Sequence, residues 1–319
     1  MVELQYLRDK NIIVTGGAGF LGCHIVEKLY ESGIDEKQVF VPRSKDFDLV
    51  EKNNIIKMFA TFQPDVVIHA AGRIGGIGTN VAHPATFFYE NLMMGVQMME
   101  TARTHSVEKF VTIGTTCSYP KHAPQPLNEI DLWDGYPAEE TAPYGLAKKM
   151  LIVQSQAYRK QHNFNSITLL PTNLYGPHDN FDPKTSHVLP ALIRRCVDMK
   201  ESNSPTFEVW GSGSATRDFL YVEDAAEGIV LAAEKYNKSD PINLGSGQEI
   251  SIKELAERVC SSVGFKGSLM WDTTKPDGTP RRCLDTTLAE KEFDFRAKTS
   301  PDTGLRKTNE WYLHNRTNI

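Results

Sequence analysis

Short apolar runs alternate with longer segments of helical spacing through the first half of the chain. Asn11-Ile-Ile-Val-Thr15 is apolar and β-branched, which suits a strand buried on both faces. Cys23 to Tyr30 continues with helical periodicity, and the pattern then recurs. Strands are expected at Gln38 to Pro42, Val66 to Ala70, Lys109 to Gly114 and Ser166 to Pro171. Helices are expected over Pro84 to Thr104 and Tyr144 to His162. This alternation predicts an α/β chain with a doubly wound parallel sheet. After Pro171 the rhythm changes: Thr172 to Ser186 is dense in Pro, Asn, Asp and Gly and reads as loop. Helical patterns over Val188 to Lys200, Val222 to Tyr236 and Ile252 to Val263, with a short strand at Phe207 to Trp210, predict a smaller α/β lobe. The expected division is 1–172, with a return segment at about 217–243, against 173–216 plus 244–319. A cleft between two such lobes is the default ligand site.

The turn after the first strand reads Gly16-Gly-Ala-Gly19-Phe20-Leu21-Gly22. Glycines at these positions permit a tight turn, close backbone approach to a pyrophosphate and close packing of helix on sheet. The following helix start offers free N–H groups and a positive dipole end to phosphate. The sheet is therefore expected to be of Rossmann type and to bind a dinucleotide. The next strand ends Val41-Pro42-Arg43-Ser44-Lys45, with no carboxylate before Asp46. An acidic residue there would bond the ribose 2′-OH, whereas a basic one accepts a 2′-phosphate. The reading favours NADP(H), with Arg43 as first phosphate candidate and Asp48-Leu49 near the adenine.

Composition narrows the class. With 319 residues the chain is long enough for one large or two modest domains. A net charge of −5 and the lack of a long basic run disfavour a nucleic-acid partner. No apolar run is long enough to span a membrane, and the start lacks a signal-peptide pattern, so a cytoplasmic protein is expected. The five cysteines are scattered, odd in number and without C-x-x-C spacing. That argues for a reducing compartment, not a disulfide framework or zinc site.

Candidate chemistry gathers at the end of the Lys109 to Gly114 strand. If the strand extends, Thr115 and Cys117 share a face and Thr116 points away. Tyr144 and Lys148, four apart on a helix, also share a face. An ammonium beside a phenol would lower its pKa and fit it for proton transfer, with Thr115 polarising the same substrate oxygen. Gly16–Gly22, Thr115 and Tyr144-x-x-x-Lys148 resemble the extended short-chain dehydrogenase/reductase superfamily. Longer motifs narrow the match: Arg73-Ile-Gly-Gly-Ile-Gly-Thr-Asn80, Thr115-Thr-Cys-Ser-Tyr-Pro120, Pro171-Thr-Asn-Leu-Tyr-Gly-Pro-His-Asp-Asn-Phe181, Trp210-Gly-Ser-Gly-Ser-Ala-Thr-Arg-Asp-Phe219 and Lys275-Pro-Asp-Gly-Thr-Pro-Arg281. Together these resemble the GDP-L-fucose synthase family over nearly the whole chain.

That resemblance implies an NADPH-dependent 3,5-epimerisation and 4-reduction of GDP-4-keto-6-deoxy-mannose, by a homodimer. It implies Cys117 as base, His187 as acid and Tyr144 as proton donor to the C4 oxygen, supported by Lys148 and Thr115. It places Gly16, Gly19, Phe20, Leu21 and Gly22 at the cofactor, with Arg43, Asp48, Leu49, Ala70 and Ala71. It adds Lys148, Pro171, Asn173, Leu174 and His187 along the nicotinamide side. Arg195, Trp210, Arg217 and Lys275 are implied to hold the GDP-sugar. Two departures stand out: the Gly-Gly-Ala-Gly opening is more like epimerases that retain NAD, and Thr115 stands where serine is usual. The alternatives are an NAD(P)-dependent enzyme of another GDP-sugar, either GDP-mannose 3,5-epimerase-like or acting on a GDP-heptose. A 4,6-dehydratase is disfavoured because Thr116-Cys117 replaces its Asp-Glu pair.

Overall fold

Strand residues that are apolar at every position need cover on both faces, and the chain supplies it. The computed structural model describes residues 4–275 and 277–318. Its first half runs β1 (Ile12–Thr15), α1 (Phe20–Glu31), β2 (Val39–Phe40), α2 (Lys52–Phe62), β3 (Val66–His69), α3 (Ile77–Ala82), α4 (Pro84–Thr104), β4 (Lys109–Ile113), α5 (Ala142–His162) and β5 (Ser166–Pro171). Then follow β6 (Asn173–Tyr175), α6 (Val188–Glu201), β7 (Thr206–Trp210), β8 (Thr216–Tyr221), α7 (Val222–Lys235) and β9 (Ile242–Leu244). The chain closes with β10 (Glu249–Ser251), α8 (Ile252–Val263), β11 (Ser268–Asp272), β12 (Arg281–Arg282), α9 (Thr287–Phe293) and α10 (Pro301–Asn315).

Six strands form one wholly parallel sheet in the order β2-β1-β3-β4-β5-β9. Alternate side chains feed opposite cores. Ile12, Val14, Val66, Ile68, Val111 and Ile113 pack with Ile25 and Leu29 of α1 and Ala225, Ala226 and Ile229 of α7. Ile13, Val67 and Phe110 pack with Ile55 and Phe59 of α2, Met98 and Met99 of α4, and Leu151 of α5. The methionine pair is thus core, a role suited to an unbranched, adaptable side chain. Gly95 lets α4 and α5 meet closely, since a Cβ there would lie 2.4 Å from Leu151 Cδ1. The chain order reverses beside β1, which has β2 on one side and β3 on the other. In such sheets that crevice beyond the strands' carboxyl ends takes the ligand.

A third core joins α6, α8 and α10 to β7 through Leu192, Ile193, Phe207, Leu255, Val259 and Leu305. β8 pairs with β6, β10 and β12, and β7 pairs with β11. Sequence pattern alone marks neither α2, α3, α9 and α10 nor the strands β8 to β12, and it reads 173–175 as loop. That triplet is too short to show a period; its pairing with β8 makes it a strand.

Candidate active site

The glycine turn forms a cradle that side chains would fill. Gly16 has φ +70°, and a Cβ there would lie 2.9 Å from the Ala71 nitrogen. A Cβ on Gly22 would come within 2.0 Å of the Gly16 oxygen, so α1 can sit this close only without one. The Gly19 amide donates to Gly16 O at 2.8 Å, closing the turn, and Gly19 caps α1 with no side-chain hydrogen bond. The first intrahelical bond is Cys23 N–H to Gly19 O, which leaves the amides of Phe20, Leu21 and Gly22 without an intrahelical acceptor. Across the crevice, the Ala71 amide donates to Thr15 Oγ1 at 3.2 Å and fixes Ala70-Ala71 against the turn. Arg43 and Lys45 are exposed beyond β2 and form no ion pair among the described residues. Asp48 accepts from the Val50 amide at 2.9 Å, and Leu49 is buried. A glycine cradle, three free amides and two unpaired cations fit an anionic dinucleotide carrying a 2′-phosphate.

Beyond β4 the strand does not extend as the sequence reading expected. Thr115 is extended (φ −159°, ψ 148°), but Thr116–Ser118 is a 3₁₀ turn that Thr115 caps by accepting from the Cys117 amide at 3.2 Å. Thr115 and Cys117 are therefore brought together by a cap, not by strand alternation. The turn docks on the start of α5: Ser118 Oγ donates to Gly145 O at 3.0 Å. A Cβ on Gly145 would stand 2.2 Å from Cys117 O and 2.7 Å from its carbon, so only glycine admits this contact. Gly145 follows Tyr144, and the same contact sets Cys117 beside the phenol. Tyr144 is buried, lies beside the Thr115 hydroxyl and is met edge-on by Phe87 at 6.4 Å between centroids. Gly145 and Ser118 are the positioning residues that sequence reasoning missed; the one available signal was a glycine inside a helical pattern.

Lys148 lies one turn further along α5. Its ammonium donates to Ile113 O at 3.1 Å and Ala71 O at 3.4 Å, bridging the ends of β4 and β3. Burial lowers its pKa to about 8. The expected lowering of the phenol is not found. Burial, with the Cys117 sulfur second, pushes Tyr144 well above the ordinary phenol range, and the neighbouring Thr115 hydroxyl only partly offsets this. The reason is geometric, since Lys148 is held by strand carbonyls. Tyr144 is accordingly protonated in this state.

His187 caps the start of α6 without a side-chain cap bond. The residue keeps solvent exposure, and desolvation by the protein around it lowers its pKa. A relay of contacts ties this corner to the phenol. Gly76 N–H donates to Thr185 O at 3.2 Å, Gly75 packs near Phe87, and Phe87 meets Tyr144. Pro171 ends β5 opposite Leu244, while Asn173 Nδ2 donates to Asp218 O at 3.0 Å and Leu174 packs on the first core.

In the second lobe, Trp210 is 61% exposed and carries the Lys275 ammonium 5.6 Å from its ring centroid. Arg195 donates to Glu208 O at 2.5 Å and lies over Phe207. Arg217 is half-buried, bonded to Thr216 O at 2.7 Å and in register with Arg282 of β12. Burial first, and Arg282 second, lowers its pKa. Two neighbouring guanidinium groups with no carboxylate partner among the described residues favour an anion. Arg281 is instead paired to Glu249 at 2.8 Å. A groove of about 810 Å³ lined by Lys28, Glu31, Glu227, Lys235 and Asp294 opens at the C-terminal ends of α1 and α7. Helix C-termini present carbonyls, so this groove does not suit phosphate.

The chain is similar to known proteins in sequence and in fold. Residues 12–245 match the NAD dependent epimerase/dehydratase family. The chain is 43% identical over 313 residues to the GDP-L-fucose synthase of Sinorhizobium fredii (strain NBRC 101917 / NGR234), covering 98% of each. It is 41% identical over 315 residues to GDP-L-fucose synthase 1 of Arabidopsis thaliana, covering 98% of this chain and 97% of that one. The structure of a GDP-L-fucose synthetase from Naegleria fowleri bound to NADP matches with a TM-score of 0.90 at 28% identity, covering 100% of this chain and 96% of that one. With the family match spanning the cradle and the Tyr144 cluster alike, the chain belongs to the NAD dependent epimerase/dehydratase family and, within it, to the GDP-L-fucose synthases.

Proposed function

We propose that this protein converts GDP-4-keto-6-deoxy-mannose to GDP-L-fucose by 3,5-epimerisation and NADPH-dependent 4-reduction. The observation that carries this is the docking of the Thr115–Ser118 turn on Gly145, which joins a thiol, a hydroxyl and a buried phenol beside the dinucleotide cradle. A C4 ketone acidifies the hydrogens on C3 and C5. A base on one face and an acid on the other can invert both centres through enolates, the roles given to Cys117 and His187. Tyr144, kept protonated by burial, donates its proton to the C4 oxygen, and Thr115 orients that oxygen. NADPH, when bound, supplies the hydride for C4.

The cradle of Gly16, Gly19 and Gly22 with Phe20 and Leu21 is assigned to the pyrophosphate, and Arg43 to the 2′-phosphate. Asp48, Leu49, Ala70 and Ala71 would border the adenosine half, while Lys148, Pro171, Asn173, Leu174 and His187 would border the nicotinamide half. Trp210 with Lys275 would meet the guanosine end and Arg217 the diphosphate, with Arg195 bracing β7 beside them. The six-stranded lobe thus takes the cofactor and the other lobe the nucleotide sugar. Phe88 and Tyr89 of α4 and Met150 and Val153 of α5 are exposed apolar positions, the basis for a homodimer built on those helices. Five free cysteines suit a cytoplasmic enzyme.

The test is NADPH consumption with GDP-4-keto-6-deoxy-mannose in deuterated water, with NMR of the product. Oxidation with deuterium at C3 and C5 is expected. Exchange without oxidation would leave an epimerase, and the absence of both signals would refute the assignment.

A further inference from the structure

Two thiols that the proposed chemistry does not use meet between α6 and α8. Cys196 Sγ lies 3.9 Å from Cys260 Sγ. Cys196 is fully buried, whereas Cys260 is only half-buried, in the last turn of α8. Around them Ile193, Val197, Val259 and Val263 form one apolar cluster, so the two helix backbones are held in a fixed relation at this point. The Cys260 carbonyl accepts from both Gly264 N–H and Phe265 N–H at 2.9 Å, which closes the helix end beside the thiols. Lys200, one turn beyond Cys196, donates to Val263 O at 2.7 Å and keeps a positive charge on the same end of the pair. The contact between the two thiols raises the pKa of Cys196 and lowers that of Cys260, so the more exposed sulfur is also the one that ionises first.

We propose that Cys196 and Cys260 form a reversible dithiol/disulfide pair, linking α6 to α8 and oxidised by a small disulfide of the glutathione class. A disulfide bond is about 2.05 Å long, so the sulfurs must approach by roughly 2 Å from their present contact. The order of events follows from exposure. The Cys260 thiolate attacks the small disulfide, forms a mixed disulfide and expels one thiolate. Cys196, after losing its proton, attacks the Cys260 sulfur and expels the second. Two protein thiols are oxidised, one disulfide is reduced to two thiols, and the protons pass to the departing thiolates. The link would fix the helix whose N-cap is His187 and which carries Arg195 immediately before Cys196.

The full chain is equilibrated with reduced and oxidised glutathione, alkylated and mapped without reduction. The expected product lacks two hydrogens, joins the Cys196 and Cys260 peptides, leaves the other three of its five thiols alkylated, and reverts with dithiothreitol. Cys196→Ala should stall as a stable glutathione adduct on Cys260, and Cys260→Ser should leave Cys196 unmodified. A stable Cys260 adduct in the unaltered protein would overturn the pairing. So would a link through Cys23, Cys117 or Cys283, or two unmodified thiols under oxidising conditions.

Discussion

Gly145→Ala tests whether the docking of the 3₁₀ turn on α5 positions the thiol. By helix propensity alone this change should stabilise α5 by about 1 kcal/mol. The structure predicts the opposite sign. The new Cβ would stand 2.2 Å from Cys117 O and 2.7 Å from Cys117 C, both backbone atoms that cannot swing aside. Reaching ordinary contact requires the turn to retreat by roughly 1 Å. Overpacking of that kind costs about 1–3 kcal/mol, and losing the bond from Ser118 to Gly145 O costs about 1 kcal/mol more. After the propensity gain the net loss is about 1–3 kcal/mol. A displacement of this size at a reacting group costs on the order of 10²-fold in rate. Because the retreat moves Cys117, exchange at C3 and C5 should suffer most. The glycine cradle lies on another loop, so NADPH affinity should stay within about twofold. The assays are thermal unfolding, deuterium incorporation and NADPH titration. Unchanged stability with full exchange would refute the positioning argument.

Tyr144→Phe should abolish NADPH oxidation by roughly 10²–10⁴-fold while C3 and C5 exchange persists; equal loss of both would remove Tyr144 as donor to the C4 oxygen. Lys148→Met should lose reductase activity yet be no less stable at pH 7. Burial lowers Lys148 from 10.5 to about 8, which corresponds to about 3 kcal/mol against the folded state below pH 8. Between those values the unfolded chain binds one more proton, so the unaltered protein gains stability as pH rises from about 8 to 10.5 and the variant's advantage shrinks. Denaturant melts at pH 7 and pH 10 check the sign, and a variant clearly weaker at pH 7 would contradict it. Arg43→Ala should raise KM for NADPH by roughly tenfold or more and leave KM for NADH nearly unchanged, from the loss of one charge-assisted phosphate contact. Equal effects on both cofactors would move the 2′-phosphate elsewhere.

The sequence determined by itself what depends on local pattern. Uniformly apolar strands, a glycine turn before a helix and Tyr144 one turn from Lys148 are all written within a few residues of each other. Hence the parallel sheet, the cradle and the shared helix face were legible. Tertiary structure decided what depends on contacts distant in sequence. Thr116–Ser118 abandons the strand because its Thr115 cap and its seat on Gly145 satisfy its polar groups better than further pairing. Lys148 points to the Ile113 and Ala71 carbonyls, 35 and 77 residues away, and so leaves the phenol to be governed by burial. β6 is three residues long and exists through its pairing with β8. Cys196 and Cys260, 64 positions apart, become neighbours only once α6 packs on α8. Periodicity records which face of an element is buried, but the partner it is buried against is fixed only when the whole chain closes.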